Sequence, residues 1–460
     1  MNASATTVPR PNIVVAIADD WSWMHAGAYG DPAVRTPNID RLAREGTRFS
    51  HAYVAAPSCS PSRAALLTGQ YPHRLEEGSQ LWGFLPGRFA VYPELLADAG
   101  YHAGSTRKGW GPGRLEPAGR THDPAGRKFD DFAAFMAERP KGTPFVFWFG
   151  SQDPHRPYEA GAGERAGIDL ASIAVPPFLP DTPEVRSDIA DYLFEVERFD
   201  REVGEIVAAL EAAGELDTTL IVVTSDNGMP FPRAKATLYD AGTRVPLVVR
   251  WPGQVAAGVV SEAMVSLVDL APTFLGAAGL DMPADMSGRS LRPLWRGEPS
   301  GERDRVFLER ERHANVRRGD LSYPVRAVRT RDHLYVRNFE PDRWPAGDPE
   351  LYHSVGPFGD IDGGPSKQVL LGGRQDAVIT PFFTLATAKR PAEELYVLAT
   401  DPHQLTNVAN DAAHAGVKAT LRATLNAWMR DTGDPRATTN DDRWERYPYY
   451  GGPAAATPRP

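Results

Sequence analysis

The residues best suited to chemistry stand in one stretch, SCSPSRAALLTG, from Ser58 to Gly69. It holds the only cysteine among 460 residues, Cys59, and an arginine four positions later, Arg63. Ser60 is a helix-capping type, the next proline suits the first helical position, and Gly69 suits the residue past the end, so a helix is predicted. Cys59 would then precede a helix N-terminus, where backbone N–H groups favour an anion. A nucleophile-sized side chain, an anion site and a guanidinium suited to a tetrahedral oxyanion thus occur together.

The elements that must position these residues alternate between buried strands and amphipathic helices. Apolar runs at residues 13–18, 145–149 and 220–223 predict strands covered on both faces, and one long helix is predicted from Thr182 to Gly214. This alternation predicts an α/β fold in which helices sandwich a large, mixed but mainly parallel sheet. Beyond about residue 320, alternating apolar and polar residues predict a smaller antiparallel sheet, followed by a helix. We expect a larger domain over residues 1–320 and a C-terminal α+β subdomain over residues 321–460.

Oxygen-bearing side chains follow two of these predicted strands. They are Asp19, Asp20, Asp226 and Asn227. In an open α/β sheet, ligands bind beyond the carboxyl ends of the strands, and three carboxylates meeting there would repel one another without a cation. Each aspartate alone is more often a turn residue, but two such pairs favour a metal site. An all-oxygen set selects Ca²⁺ or Mg²⁺ over zinc.

The complete stretch around Cys59 is more specific than a capped helix with an incidental cysteine. It matches the signature C-x-P-S-R-x-x-x-L-T-G at every fixed position, and in this it resembles the type I sulfatases of the alkaline-phosphatase-like superfamily. The resemblance implies that Cys59 is converted to formylglycine by a formylglycine-generating enzyme. It also implies one divalent cation, usually calcium, held by the two acidic pairs and by the formylglycine itself.

Three further candidates stand in strings similar to sulfatase motifs. They are Lys108 in RKGWGPG, His155 in DPHRP and Lys235 in KATLYDAGTRVP. Alone, each is more often a solvated surface group. The family's histidine two residues after the first lysine is replaced by Trp110, so leaving-group protonation is expected to rest on His155, with His73 in GQYPHR as a further candidate.

The mechanism implied by the resemblance assigns a role to each group. Arg63 and the cation neutralise charge on the sulfuryl oxygens while a hydroxyl of the hydrated aldehyde attacks sulfur. Asp226 is a candidate general base, and His155 protonates the departing oxygen or nitrogen.

The C-terminal half also resembles this family. ELYVLATDPHQLTNVA is similar to a run of sulfatase C-terminal domains, and YPVRAVR and SDNGMPFP look closest to the sulfamidase branch, the heparan N-sulfatases. In that branch an arginine stands at the position of Lys235 and the histidine replaced by Trp110 is retained. Despite these two departures, the resemblance to this branch makes a sulfated carbohydrate, as a sulfamate or an O-sulfate, the expected substrate. Four residues could border its pocket: Glu309, His313, Tyr323 and Arg326.

Two other functions remain open at this point. A phosphonate or phosphate ester hydrolase could use the same site, because both anions are tetrahedral. A catalytically silent binder of sulfated glycans would be expected to lack at least one of the candidate residues, and none is missing.

Composition excludes several classes of protein. The formal charge is −9, and acidic and basic residues are interspersed without a basic block, which argues against a nucleic-acid binder. One cysteine allows no intrachain disulfide, as is usual in a reducing compartment. No apolar run approaches the ~20 residues that span a bilayer. The N-terminus lacks the pattern of a secretory leader, so we expect a soluble protein that is cytoplasmic as written, with export left open.

Overall fold

Two β-sheets form the framework of the chain in a computed structural model that describes residues 10–295, 303–350 and 356–451. The strands are β1 Asn12–Ala18, β2 Thr47–Tyr53, β3 His102–Arg107, β4 Arg127–Lys128, β5 Phe145–Gly150, β6 Thr219–Ser225, β7 Arg244–Val245, β8 Leu247–Arg250, β9 Val259–Ser266, β10 Arg305–Arg310, β11 Val325–Thr330, β12 His333–Asn338 and β13 Glu393–Val397. The helices are α1 Pro37–Glu45, α2 Cys59–Thr68, α3 Tyr92–Asp98, α4 Phe132–Glu138, α5 Ala162–Arg165, α6 Pro183–Ala212, α7 Asp240–Thr243, α8 Leu270–Ala277, α9 Arg292–Trp295, α10 Pro365–Gly372, α11 Thr380–Thr387, α12 Ala415–Asp431 and α13 Arg443–Arg446.

The larger sheet has the order β4-β3-β5-β1-β6-β8-β2-β7, with β9 paired to β2. Strands β4, β3, β5, β1 and β6 are parallel to one another, and β8 and β7 run antiparallel to their neighbours. The predicted large, mixed and mainly parallel sheet is confirmed.

Helices cover both faces of this sheet, as the side-chain alternation of β1 illustrates. Val14 and Ala16 pack into a core with residues of α6, and Val15 and Ile17 pack into a second core with residues of α2 and α8. Because every residue of β1 is buried, the strand shows a continuous apolar run rather than a one-sided pattern.

Helix α6 begins and ends as the sequence predicts, whereas α2 begins earlier. The Thr182 hydroxyl accepts a hydrogen bond from the Val185 amide, which caps α6. In α2 the helical conformation already starts at Cys59, and Ser60 does not cap it. The Ser60 hydroxyl instead donates to the carbonyl of Pro112, 2.5 Å away, so a tertiary partner replaces the predicted cap.

The smaller sheet is antiparallel, in the order β10-β11-β12-β13. One face packs on residues of the larger unit such as Tyr53 and Tyr239, and the other face packs on α12 through Leu425 and Trp428. The predicted C-terminal antiparallel sheet with a helix is confirmed. Its first strand, Arg305–Arg310, precedes the expected boundary at residue 320, and the division into 1–320 and 321–460 stays a prediction.

Within the described ranges, no helix is both long enough and apolar enough to cross a lipid bilayer. Residues 1–9, on which the expected absence of a leader rests, lie outside those ranges.

Candidate active site

The carboxyl ends of four parallel strands and the start of α2 bring most of the predicted residues together. Asp19 and Asp20 follow β1, Lys108 follows β3, His155 lies in the loop after β5, and Asp226 follows β6 directly. The neighbouring Asn227 and, further along the same loop, Lys235 come from β6 as well, and α2 supplies Cys59 and Arg63. Parallel strands end at one edge of the sheet, which is why residues more than 200 positions apart meet here.

Eight side chains meet at this edge and form the Cys59 cluster: Asp19, Asp20, Cys59, Arg63, Lys108, Asp226, Asn227 and Lys235. One ligand atom from each of Asp19, Asp20, Cys59 and Asp226 lies within 4.8 Å of the others. All four residues are buried. The Cys59 thiol donates to Asp19 Oδ1 across 3.5 Å, so the thiol lies against one of the carboxylates.

Three cations hold these carboxylates in place. Lys108 Nζ lies 2.6 Å from Asp19 Oδ2, and Lys235 Nζ lies 2.7 Å from Asp20 Oδ2. Arg63 Nε donates to Asp226 Oδ2 at 2.7 Å, and its Nη1 donates to the carbonyls of Lys108 and Gly109. Charge-assisted pairs of this kind are short and strong, and they fix the positions of these side chains.

The donor set fits a hard divalent cation. Asn227 donates through its Nδ2 to Asp20 Oδ1. The other amide atom, Asn227 Oδ1, is a buried acceptor that has no hydrogen-bond partner among the described residues. A buried acceptor without a donor is unfavourable unless a ligand satisfies it. Asp20 adopts φ +76°, a strained conformation for a residue with a side chain, of the kind that occurs at functional sites. Three carboxylates and an amide oxygen are ligands that Ca²⁺ or Mg²⁺ accepts.

Electrostatics at the site differ between neighbouring acids. Burial opposes charge on Asp19, but Lys108 and His155 outweigh burial and lower the pKa of the Asp19 carboxyl well below its usual range. Burial dominates at Asp20 and raises its pKa, although Lys235 opposes the shift. Burial also raises the pKa of the Cys59 thiol well above its usual value. An uncharged thiol is a weak nucleophile.

A cavity of about 780 Å³ opens above the cluster. Asp19, Cys59, Lys108, His155 and Lys235 line it, whereas the remaining residues of the Cys59 cluster lie behind these. His155 Nδ1 donates to the carbonyl of its neighbour Arg156, so Nε2 is the ring nitrogen left for a ligand, and it lies 3.8 Å from Asp20 Oδ2. Trp110 lines the cavity at the position where the family motif has a histidine.

The structure does not bring His73 to this cavity. Its Nδ1 lies 2.8 Å from Glu309 Oε2, and its ring stacks on Tyr71. It belongs to a second buried group of charges, called the Arg326 cluster below: His73, Glu309, Glu311, Arg326, Asp434 and Arg436. The expectation that Glu309 and Arg326 border the pocket is therefore wrong, and Tyr323 lines a different cavity. His313 does line the cavity above Cys59.

Asp362, which no sequence motif indicated, lines the same cavity. Its Oδ2 lies 3.1 Å from Lys235 Nζ. The segment that carries it and the segment that carries His155 are joined through Asp188 of α6. The Asp188 carboxylate accepts two bonds from Arg156 and two from Ser366. Acidic residues in a glycine-rich loop are too common for the sequence to have indicated this one.

Comparisons with known proteins agree with this geometry. A family model described as Sulfatase matches residues 11–280. The chain belongs to the sulfatase family. A second model, described as N-sulphoglucosamine sulphohydrolase, C-terminal, matches residues 233–348. The predicted family and the predicted class of enzyme, a sulfuric ester hydrolase, are confirmed.

Curated relatives extend over most of the chain. Human N-sulphoglucosamine sulphohydrolase is 31% identical over 476 aligned residues, which cover 93% of this sulfatase and 91% of the human protein. An ulvan-active sulfatase from Formosa agariphila is 26% identical and covers 94% and 83% of the two chains.

Solved structures share the fold. A protein in complex with its substrate, D-glucosamine-2-N,6-O-disulfate, has a TM-score of 0.68 at 21% identity and covers 94% of this chain and 100% of that one. The phosphonate monoester hydrolase of Silicibacter pomeroyi has a TM-score of 0.69 at 21% identity, with 92% and 96% covered. At these identities the likeness shows the architecture alone.

Proposed function

We propose that this sulfatase hydrolyses a sulfate ester or sulfamate on a sulfated carbohydrate. The reaction would use one bound Ca²⁺ and a formylglycine nucleophile that is made from Cys59. The observation that carries the proposal is the placement of Cys59. It stands at the start of α2, within 4.8 Å of three buried carboxylates and at the floor of a cavity of about 780 Å³.

The chain's own residues would position and neutralise the sulfuryl group. When present, the cation and the formylglycine supply Lewis-acid polarisation and a hydrated-aldehyde nucleophile. Lys108 and Lys235 line the cavity with ammonium groups that can turn to sulfuryl oxygens. Arg63 lies behind them, and its Nη2 makes no hydrogen bond within the described ranges. Its charge stabilises the negative charge that develops during transfer.

Proton transfer to the leaving group would fall to His155. Its Nδ1 is engaged by a backbone carbonyl, so Nε2 faces the cavity side of Asp20 and can hold the proton that the leaving oxygen or nitrogen needs. Asp226 accepts from Arg63 and from the Asp20 amide, contacts that fix its orientation. Its role as a general base stays part of the proposal.

The substrate class rests on the relatives. Several relatives are named as enzymes of sulfated sugars, namely N-sulphoglucosamine sulphohydrolase and N-acetylgalactosamine-6-sulfatase. Glucosamine N-sulfate is therefore the first substrate to test and glucosamine 6-O-sulfate the second. Maturation of Cys59 would require a formylglycine-generating enzyme as a partner during synthesis.

The test begins with peptide mass mapping across Cys59 after expression together with such an enzyme. We expect formylglycine at this position and calcium-dependent sulfate release from one of the two amino sugars. Aryl sulfate, aryl phosphonate and aryl phosphate are assayed in parallel. Unmodified thiol with no turnover would overturn the proposal, and so would a clear preference for the phosphonate.

A further inference from the structure

Asp362 is a carboxylate in a cavity that the proposed function assigns to an anion. Its side chain is 24% exposed and bonds to Lys235, the cation that also holds Asp20. Burial opposes its charge, but Lys235 and His155 outweigh burial and lower the pKa of Asp362 to about 2. It is therefore ionised at neutral pH and repels any anion that enters.

The loop that carries Asp362 is firmly anchored, so the carboxylate cannot easily withdraw. Lys367 Nζ donates to the carbonyls of Phe358 and Ile361, at 3.2 and 2.7 Å. On the other side, Ser366 donates through both its amide and its hydroxyl to Asp188, which is 1% exposed. A negative charge fixed beside an anion site weakens binding of every anion, and it weakens binding most for the anion with the higher charge.

We propose that Asp362 sets the charge selectivity of the site, so that it takes a singly charged tetrahedral ester in preference to a doubly charged one. This inference rests on the proposed function and names the charge class of its substrate. Sulfate esters and sulfamates carry one negative charge, whereas a phosphate monoester carries two above its second pKa of about 6.

The charges of the cavity support this assignment. Lys108, Lys235 and Arg63 each bond one carboxylate of the Cys59 cluster, namely Asp19, Asp20 and Asp226, respectively. Four further charged residues line the cavity, and they are the same with and without Asp362: Arg107, Lys128, Asp153 and Arg156. Within the described residues, one further carboxylate forms an ion pair with one of these three cations: Asp362 bonds Lys235. It lowers the net charge of the site by one unit whether or not His155 is protonated. A bound divalent cation adds the same charge with or without Asp362.

The experiment compares Asp362→Asn with the wild-type enzyme on three aryl esters at about pH 8. Aryl sulfate and aryl phosphonate are singly charged, and aryl phosphate is doubly charged. We expect the kcat/KM ratio of phosphate to sulfate to rise about tenfold or more in Asp362→Asn. The ratio of phosphonate to sulfate should stay constant, because these two esters carry equal charge.

Two variants serve as matched controls. Asp362→Glu restores the charge and should return both ratios towards the wild-type values. Glu159→Gln removes one negative charge at a side chain that is 81% exposed, just beyond the His155 segment, and should leave both ratios unchanged.

Binding provides a readout independent of turnover. In a Cys59→Ala background, the affinity for aryl phosphate relative to aryl sulfate is measured by calorimetry with and without Asp362→Asn. The same rise in the ratio is expected, even if the wild-type enzyme hydrolysed neither ester and the proposed function failed. Equal loss of both esters, or an unchanged ratio in a folded variant, would show that Asp362 is only a structural partner of Lys235 and overturn the inference.

Discussion

The Cys59 cluster and the Arg326 cluster are both buried groups of charged side chains. They contain similar residue types, but they differ in how completely their polar atoms are paired. In the Arg326 cluster, Arg326 bonds Asp434 and Glu311, and Arg436 makes two bonds to Glu311, each 2.9 Å long. Among the residues that the structure describes, no side-chain nitrogen or oxygen of this cluster is buried without a partner. In the Cys59 cluster, Asn227 Oδ1 and Arg63 Nη2 lack hydrogen bonds within the same described ranges.

Unpaired polar atoms therefore distinguish a ligand site from structural ion pairing. Both clusters contain carboxylates close enough to hold a metal ion. Only the Cys59 cluster combines orphaned polar atoms, a strained aspartate and an adjoining cavity of about 780 Å³. A fully paired cluster stabilises the fold, whereas a partly paired one leaves bonding capacity for a ligand. Four experiments test this distinction.

The largest effect is expected from Cys59→Ala. Turnover should fall by at least about 10⁴-fold, because the proposed nucleophile is lost. The free energy of unfolding should fall by only about 1 kcal/mol, since one small side chain is removed. Sulfate release and urea unfolding measure the two quantities. Thr68→Val, at the other end of α2, should retain activity, and substantial turnover by Cys59→Ala would contradict the assignment of the cluster.

The opposite pattern is expected from Arg326→Leu. This change leaves Asp434 and Glu309 buried without their cation, and should lower the free energy of unfolding by about 3–5 kcal/mol. Activity per folded molecule should stay within a few-fold. Arg318→Leu removes an arginine that is 83% exposed and should have almost no effect on stability. A specific loss of kcat in folded Arg326→Leu would mean that this cluster takes part in catalysis.

A smaller effect should follow from adding calcium to the metal-depleted protein. At about a hundredfold excess over Kd, a bound cation stabilises the fold by about 2.7 kcal/mol. The rise in Tm should disappear in Asp20→Asn and persist in His73→Gln, because each buried polar side-chain atom of the Arg326 cluster already has a partner among the described residues. The reverse outcome would place the cation in the Arg326 cluster.

The smallest effect concerns His313, which borders the cavity. Burial lowers its pKa to about 4, although Asp360 opposes the shift, whereas in the unfolded chain the pKa is about 6.5. The unfolded chain therefore takes up the proton first, so this contribution to stability is present above about pH 6.5 and is lost as the pH falls towards 4. Between pH 7.5 and pH 5 the loss should be about 1–2 kcal/mol.

Urea unfolding at the two pH values measures this contribution. His313→Gln should show a shallower pH dependence than the wild-type protein. His122→Gln removes a histidine whose side chain is 47% exposed and should keep the wild-type dependence. An unchanged slope in His313→Gln would exclude the buried histidine as its source.

The sequence predicted those parts of the site that strand ends determine. Asp19 and Asp226 follow apolar runs, and parallel strands bring such positions together. The cavity-lining residues that do not follow a strand could not be predicted in this way. Asp362 and His313 reach the cavity from irregular segments, and their positions depend on long-range contacts such as the bond between Ser366 and Asp188.

The failure at His73 has a related cause. The string GQYPHR places a histidine soon after α2 but does not determine the direction of its side chain. The carboxylate of Glu309, 236 positions away, bonds both the backbone amide and the ring of His73. A local motif can show that a group is suited to chemistry, and only the packing shows whether it faces the substrate.

The complete burial of α2 has a consequence for how the molecule is made. All ten of its residues are buried, and Cys59 is 2% exposed. A second enzyme could not reach this cysteine in the finished fold, so the conversion that we propose must come before folding. Each copy of the chain would then have a single opportunity to mature, and the active fraction of a preparation would be fixed during synthesis rather than by later treatment.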